Sequence, residues 1–273
     1  MKIGKLSGLL VIIVFFFLLN VMASTFTYFV MFPIALLLYV LFYRIENGST
    51  TNIFIPAKID IKNSFMCVFL GLSLSLSVWG LAAVQLLLSV DYLSSETLLE
   101  WGFSNATSST FAPQSFTTAG WEIALVGYLL VFSKTIIAGP FVEELYFRGL
   151  ALKLWEVKYG KILAIIFSSI FFMLIHLNNP MLLMGVFIHG AVFCLIFYRF
   201  KHVFYCFLAH ASYNFAITIW NMLGAKDLFF DKKIEQLNTF FTWSTEFSVL
   251  ALSIFLFAVI FNSTKTTSNT MNK

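Results

Sequence analysis

Charged side chains are scarce in this chain: they make up 11% of its 273 residues, against about 25% in an ordinary soluble domain. Cysteines are few as well. The three present, Cys67, Cys194 and Cys206, lie inside apolar stretches without CxxC spacing, so we expect neither a disulfide framework nor a thiolate metal site. No run of basic residues occurs, and the sequence therefore predicts no nucleic-acid partner.

Apolar residues are correspondingly abundant in the chain. They form 60% of the chain, and apolar blocks recur from residue 7 to residue 261. Since a transmembrane helix needs about 20 mostly apolar residues to cross about 30 Å of hydrocarbon, the sequence predicts an all-α, polytopic bundle of about eight membrane-spanning helices. The predicted spans are 7–23, 26–43, 64–90, 121–147, 161–177, 181–198, 203–223 and 243–262.

The basic residues favour one orientation of this predicted bundle. With the N-terminus inside, most Lys and Arg residues fall in cytoplasmic segments, whereas the outside segments hold only Lys226, Lys232 and Lys233. Because cytoplasmic loops of membrane proteins are enriched in Lys and Arg, we expect a multi-pass protein of the cell membrane with both termini in the cytoplasm. The Phe-rich, Lys-biased composition indicates a bacterial source.

The intramembrane polar residues are concentrated in one part of the chain. We therefore predict a single membrane domain, 1–273, in which 1–119 supplies scaffold spans and 120–223 forms the functional core. Residues 224–273 would form an outer loop, the last span and a polar tail.

An acidic pair, Glu143-Glu144, precedes Arg148 at the end of the fourth apolar block. An ionisable group at the centre of a membrane helix costs about 2.5–3.5 kcal/mol, so we expect each such residue to be paired, hydrated or functional. Glu144 and Arg148 are four residues apart on one helical face and can form an ion pair, whereas Glu143 is rotated by about 100°. The alternative is an ordinary charged helix end at the cytoplasmic surface.

Polar residues also occur in the later spans. His176 closes the fifth block, and His210 and Asn214 lie in the seventh with a spacing of four. That spacing places His210 and Asn214 on one face, directed at the same neighbour. The alternatives are an interfacial or packing role for His176 and interhelical hydrogen bonding for the other two. His189 is expected to pack.

Together these residues match what peptide hydrolysis requires. The sequence combines two adjacent carboxylates, a histidine on the next helix and a His-xxx-Asn face two helices later, and peptide hydrolysis needs a general base, a water activator and oxyanion donors. Judged by residue type alone, Glu143, His176 and His210 could equally hold a zinc ion with an open water position.

The motifs Glu143-Glu144-xxx-Arg148, Phe172-xxx-His176 and His210-xxx-Asn214, on successive spans, resemble those of the CPBP family. This is the Abi family of CAAX proteases and bacteriocin-processing enzymes, which includes the type II CAAX prenyl endopeptidases. The resemblance covers roughly residues 120–223 and implies that Glu143 and His176 activate the attacking water. It further implies that His210 and Asn214 stabilise the oxyanion, that Glu144 and Arg148 hold the site together, and that no metal or other cofactor is needed, with zinc as the alternative.

The expected function is hydrolysis of a peptide bond in a membrane-associated peptide or protein, at or within the bilayer. Two other functions fit the same residues: a non-catalytic bacteriocin-immunity or scaffold protein, and a proton-coupled transporter. One feature of the predicted spans conflicts with a shared site. His176 would lie about 22 Å into its helix, so Glu143 must be equally deep. This requires the helix to continue beyond Arg148, or to bend at Gly139-Pro140.

Overall fold

A computed structural model of the protein describes residues 58–89, 129–130, 132–176 and 182–222, of which 78–89 and 220–222 are described by their backbone alone. These residues form helices and connecting turns without a β-strand, so the all-α prediction is confirmed for them. The five helices are α1 (Ile61–Ser89), α2 (133–159), α3 (Lys161–Leu174), α4 (Leu183–Phe200) and α5 (Val203–Met222).

The predicted spans 7–23, 26–43 and 243–262 lie outside the described residues. Within the described part, α4 is the one helix that is long and apolar enough to cross a membrane by itself. Shorter apolar helical stretches cover Ile61–Ser77, Lys161–Leu174 and Val203–Ile219. The count of about eight spans therefore stays a prediction, as do the domain boundaries.

Helix α2 carries the acidic pair and is continuous, although its hydrogen-bond register changes. It consists of a π-helical segment, Ser133–Ala138, an α-helical turn, Gly139–Glu144, a second π-helical segment, Leu145–Ala151, and a last α-helical segment, Leu152–Tyr159. The residues at the junctions all keep right-handed helical backbone angles. The helix ends at Gly160, whose φ of +81° suits glycine.

The expectation that the fourth helix ends at residue 147 is therefore wrong, because α2 runs on through residues 148–159, which lie between the predicted fourth and fifth spans. Leu150, Leu152 and Trp155 are buried there, and this apolar face holds the segment against α3 despite its lysines. From Glu143 to the end of α2 is about 24 Å, and from the start of α3 to His176 is about 22 Å. The two residues thus lie at similar depth, and the backbone keeps right-handed helical angles at Ala138 and Gly139.

Close backbone contact joins α1 to α5. A Cβ atom added to Gly71 of α1 would overlap the carbonyl oxygen of Ala209, next to His210, and would lie 2.9 Å from Ser212 Cβ. Small residues allow helices to approach this closely in membrane proteins. Helix α1 lies in the predicted scaffold region, and it packs directly against the helix that carries His210.

We expect the Gly71→Ala substitution to lower the free energy of unfolding by about 1–3 kcal/mol or more, since the overlap is with backbone that must move. Titration with denaturing detergent, in lipid-containing micelles, would measure the change. Leu72→Ala, at a 38% exposed position of the same helix, is the control and should have a smaller effect. Equal effects of the two substitutions would contradict the close contact between α1 and α5.

Candidate active site

The acidic pair of α2 is divided between two environments. The Glu144 side chain is fully buried, and its Oε1 atom accepts a hydrogen bond from Arg148 Nη1 at 2.9 Å. Glu143 keeps 13% of its side chain exposed and faces His210, with Oε2 3.9 Å from Nε2. The predicted ion pair and the predicted separation of the two glutamates are both confirmed.

Arg148 is held by three kinds of contact. Besides binding Glu144, it donates from Nη2 to the Gly190 carbonyl oxygen of α4 at 3.0 Å. Its guanidinium carbon lies 4.7 Å from the Phe172 ring centre and 5.3 Å from that of Phe193, distances suited to cation–π attraction. Gly190 has no side chain, and this lets α4 approach α3 closely at that point. A Cβ atom added to Gly190 would lie 3.1 Å from Ser169 Cα. Arg148 therefore ties α2 to α3 and α4.

His210 of α5 joins this pair. Its Nδ1 atom lies 2.9 Å from Glu144 Oε1, the oxygen that also accepts from Arg148. The Phe193 ring stacks on the imidazole at 4.9 Å between centres with an interplanar angle of 22°. Because a carboxylate that is paired with arginine can only accept, the proton of this hydrogen bond belongs to Nδ1.

His176 lies at the end of α3, where its Nδ1 atom is 2.8 Å from the carbonyl oxygen of Phe172. A carbonyl oxygen only accepts, so Nδ1 carries the proton and Nε2 of the neutral ring keeps its lone pair. The Phe172 ring lies between the two histidines, 4.9 Å from the ring of His176 and 5.7 Å from that of His210. His176 and His210 therefore border one aromatic side chain.

Asn214 lies one turn beyond His210 on α5 and also faces α2. Its Nδ2 atom donates to the carbonyl oxygen of Thr135 at 2.8 Å. A side-chain amide has two N–H groups, so this bond orients Asn214 and leaves its second N–H available. The prediction that His210 and Asn214 are directed at the same neighbour is confirmed, and that neighbour is α2.

The six predicted residues thus form one group. Arg148 and His210 both donate hydrogen bonds to Glu144 Oε1, and Glu143 lies against His210. His176 is connected through Phe172, and Asn214 through the turn of α5 that it shares with His210. That these residues catalyse a reaction remains a prediction, taken up below.

Three contributors were not singled out from the sequence, namely Phe193, Gly190 and Thr135, and Phe172 was named there only within the motif Phe172-xxx-His176, without a role of its own. Phe172 had a detectable signal, since it lies four residues before His176 on the same helical face. Gly190, inside an apolar block, could have indicated close backbone approach. Phe193 is one of 34 phenylalanines, and Thr135 acts through its backbone carbonyl, so the sequence offers no signal for either.

His189 is buried, as expected for a packing residue, and is 2% exposed. Its ring lies 4.6 Å from that of Tyr213, and Nε2 is 3.4 Å from Ser77 Oγ of α1. Ser77 donates its own hydroxyl proton to the Leu74 carbonyl oxygen, so the histidine is the donor between the two. His189 thereby joins α4 to α1 and α5 beside the site.

The described residues contain no group of three His, Cys, Asp or Glu side chains arranged to hold a metal ion. The zinc set Glu143, His176 and His210, which residue types alone left open, is therefore not assembled in this geometry. The expectation that the site works without a cofactor stays a prediction.

Comparison with known protein families gives a match to the part of the chain that contains the site. Residues 123–216, about a third of the chain, match the family model described as type II CAAX prenyl endopeptidase Rce1-like, and all six predicted residues fall inside this segment. Neither the curated proteins nor the solved structures include a significant match to the chain. The matched family is membrane-integral, in agreement with the apolar composition. The chain therefore carries an Rce1-like domain of the CAAX protease family, and the family predicted from the order of its motifs is confirmed.

Proposed function

We propose that the protein is an intramembrane endopeptidase that hydrolyses a peptide bond in a membrane-associated peptide or protein, using a glutamate-activated water and no metal. One observation carries the proposal: the two adjacent glutamates have different environments. Glu144 is fully buried in an ion pair, whereas Glu143 is partly exposed and 3.9 Å from His210. A division of this kind suits one structural and one reactive carboxylate.

Glu143 is the proposed general base. Its Oε2 atom lies 3.9 Å from His210 Nε2, so the carboxylate and the imidazole border the same part of the site. His176 assists, because its Nε2 keeps a lone pair while Nδ1–H is bound to the Phe172 carbonyl. The carboxylate takes a proton from water as the water oxygen attacks the carbonyl carbon of the peptide bond.

His210 and Asn214 are the proposed donors to the oxyanion. Since Nδ1–H of His210 is bound to Glu144, donation from Nε2 requires the doubly protonated ring. This form balances the charge of the group: the two carboxylates are offset by the Arg148 guanidinium and the His210 imidazolium. The second amide N–H of Asn214 supplies the other donor. Donors aimed at an oxyanion in a water-poor site are worth about 10²–10³ in rate each.

The tetrahedral intermediate then collapses. The carbon–nitrogen bond breaks, the carbonyl re-forms, and the protonated Glu143 returns its proton to the leaving amine. The products are a new carboxylic acid and a new amine, the acid proton then passes to the amine to give a carboxylate and an ammonium group, and Glu143 is ionised again. All atoms of the reaction come from the peptide bond and one water molecule, so no further reactant is required.

The class of substrate follows from the setting of the site. A site among membrane helices is open to peptides that are themselves held at the bilayer. The matched family model is named for prenylated CAAX peptides. For a bacterial protein we propose signal-peptide remnants, peptide pheromones or bacteriocin precursors as substrates.

Single alanine substitutions test this function in intact cells. We expect Glu143→Ala, His176→Ala and His210→Ala each to abolish the processing of a peptide that requires the wild-type protein. His202→Ala, in the link between α4 and α5, is the matched histidine control and should leave processing intact. Mass spectrometry of membrane peptides measures the outcome. Normal processing in all three variants would favour the non-catalytic immunity or scaffold function.

A further inference from the structure

Pro140 of α2, three residues before the acidic pair, lies in the part of the helix that Asn214 contacts. The Thr135 carbonyl lies in the first π-helical segment of α2, where two backbone N–H groups could normally reach it. In an α-helix its partner would be the N–H of Gly139, but this group donates to the Lys134 carbonyl instead. In a π-helix its partner would be the N–H of residue 140, which is proline and has none.

Neither of these two positions therefore supplies an N–H to the Thr135 carbonyl, and Asn214 of α5 donates to it at 2.8 Å. An unpaired carbonyl is costly inside a membrane, where no bulk water replaces the missing donor. The pairing therefore works in both directions: it satisfies the carbonyl, and it fixes the rotation of the Asn214 amide.

We propose that Pro140 is a positioning residue, which keeps the Thr135 carbonyl free so that this carbonyl orients the Asn214 amide beside His210. This inference rests on the proposed function, in which Asn214 donates to the oxyanion. It assigns to Pro140 a role distinct from ending a helix, since α2 continues through residue 140 with right-handed helical angles on either side.

A double-mutant cycle between Pro140 and Asn214 tests this role. Pro140→Ala restores an N–H that competes for the Thr135 carbonyl, and we expect kcat to fall about 3- to 10-fold, the effect of one ordinary hydrogen bond, with KM unchanged. In the Asn214→Ala background the same substitution should change kcat less than about twofold. Equal losses of kcat in both backgrounds would overturn the inference.

A matched backbone control separates the N–H from the shape of the proline ring. Incorporating the α-hydroxy analogue of alanine at position 140 replaces the amide by an ester, which also lacks an N–H. The ester variant should keep kcat near that of wild type, unlike Pro140→Ala. A loss of kcat as large as that of Pro140→Ala would contradict the proposal.

Stability gives a readout that does not depend on activity. Asn214→Ala leaves the Thr135 carbonyl unpaired in the wild-type background, and should lower the midpoint of detergent-induced unfolding. In the Pro140→Ala background the new N–H takes over the carbonyl, so the shift should be less than half as large. If wild type proves inactive and this coupling is still found, the proposed function fails while the role of Pro140 in orienting Asn214 stands. Equal shifts of the unfolding midpoint in the two backgrounds would contradict the proposal that Pro140 helps to orient Asn214.

Discussion

Replacing Glu143 by glutamine is expected to lower the rate of peptide hydrolysis by about 10²–10⁴, the contribution of a positioned general base. Glutamine has nearly the same shape and still accepts a hydrogen bond at its oxygen, but it cannot take a proton from water. Because Glu143 is 13% exposed and forms no part of the Glu144–Arg148 ion pair, the fold should tolerate the change. The free energy of unfolding should stay within about 0.5 kcal/mol of wild type.

The measurement is a single-turnover cleavage rate in vesicles, alongside denaturation in detergent. Glu156→Gln, in the last segment of the same helix, is the matched control and should retain the wild-type rate. A rate for Glu143→Gln within about tenfold of wild type would mean that another group activates the water.

Replacing Arg148 by alanine is expected to lower the free energy of unfolding by about 3–5 kcal/mol, since it leaves a buried carboxylate without its partner. Arg148 and Glu144 are both fully buried. The substitution also removes the donor to the Gly190 carbonyl and the cation next to Phe172. The loss should be larger than for any exposed ion pair, which contributes about 1 kcal/mol or less.

A double variant, Arg148→Met with Glu144→Leu, is the control, because replacing a buried ion pair by apolar side chains can be nearly neutral. Its stability should lie closer to wild type than that of Arg148→Ala. It should nevertheless be inactive, because His210 loses the carboxylate that accepts from Nδ1. A loss of only about 1 kcal/mol for Arg148→Ala would indicate a solvated pair and contradict the buried arrangement.

The sequence is informative about the site where contacts are local in the chain. The spacing of four places Glu144 with Arg148 and His210 with Asn214, and both pairings on one helical face hold in the structure. The same helical geometry places Glu143 and Glu144 in different environments, because adjacent residues of a helix point in different directions. The membrane class follows from composition, because nothing but a bilayer suits so many apolar residues.

The extent of α2 could not be predicted from hydropathy. Its last segment, Leu152–Tyr159, mixes lysines with buried apolar side chains, and a hydropathy window averages the two faces of the helix. The requirement that Glu143 and His176 meet at one depth did indicate the continuation. The π-helical segments had no signal, since a change of hydrogen-bond register alters no residue type.

Contacts made through backbone carbonyls also escape sequence reasoning. Gly190 orients Arg148, Thr135 orients Asn214, and Phe172 orients His176, each through its carbonyl oxygen. Every residue offers such an oxygen, and only the packing of helices decides which one a side chain reaches.

The central claim is that this chain hydrolyses peptides with Glu143 and without a metal. It is tested most directly by incubating the purified full-length protein, in vesicles containing a strong zinc chelator, with a mixture of membrane-associated peptides. New peptide ends are then identified by mass spectrometry. The account predicts new ends with the wild-type protein and none with Glu143→Gln. New ends in both samples, in neither, or only after zinc is added back would contradict it.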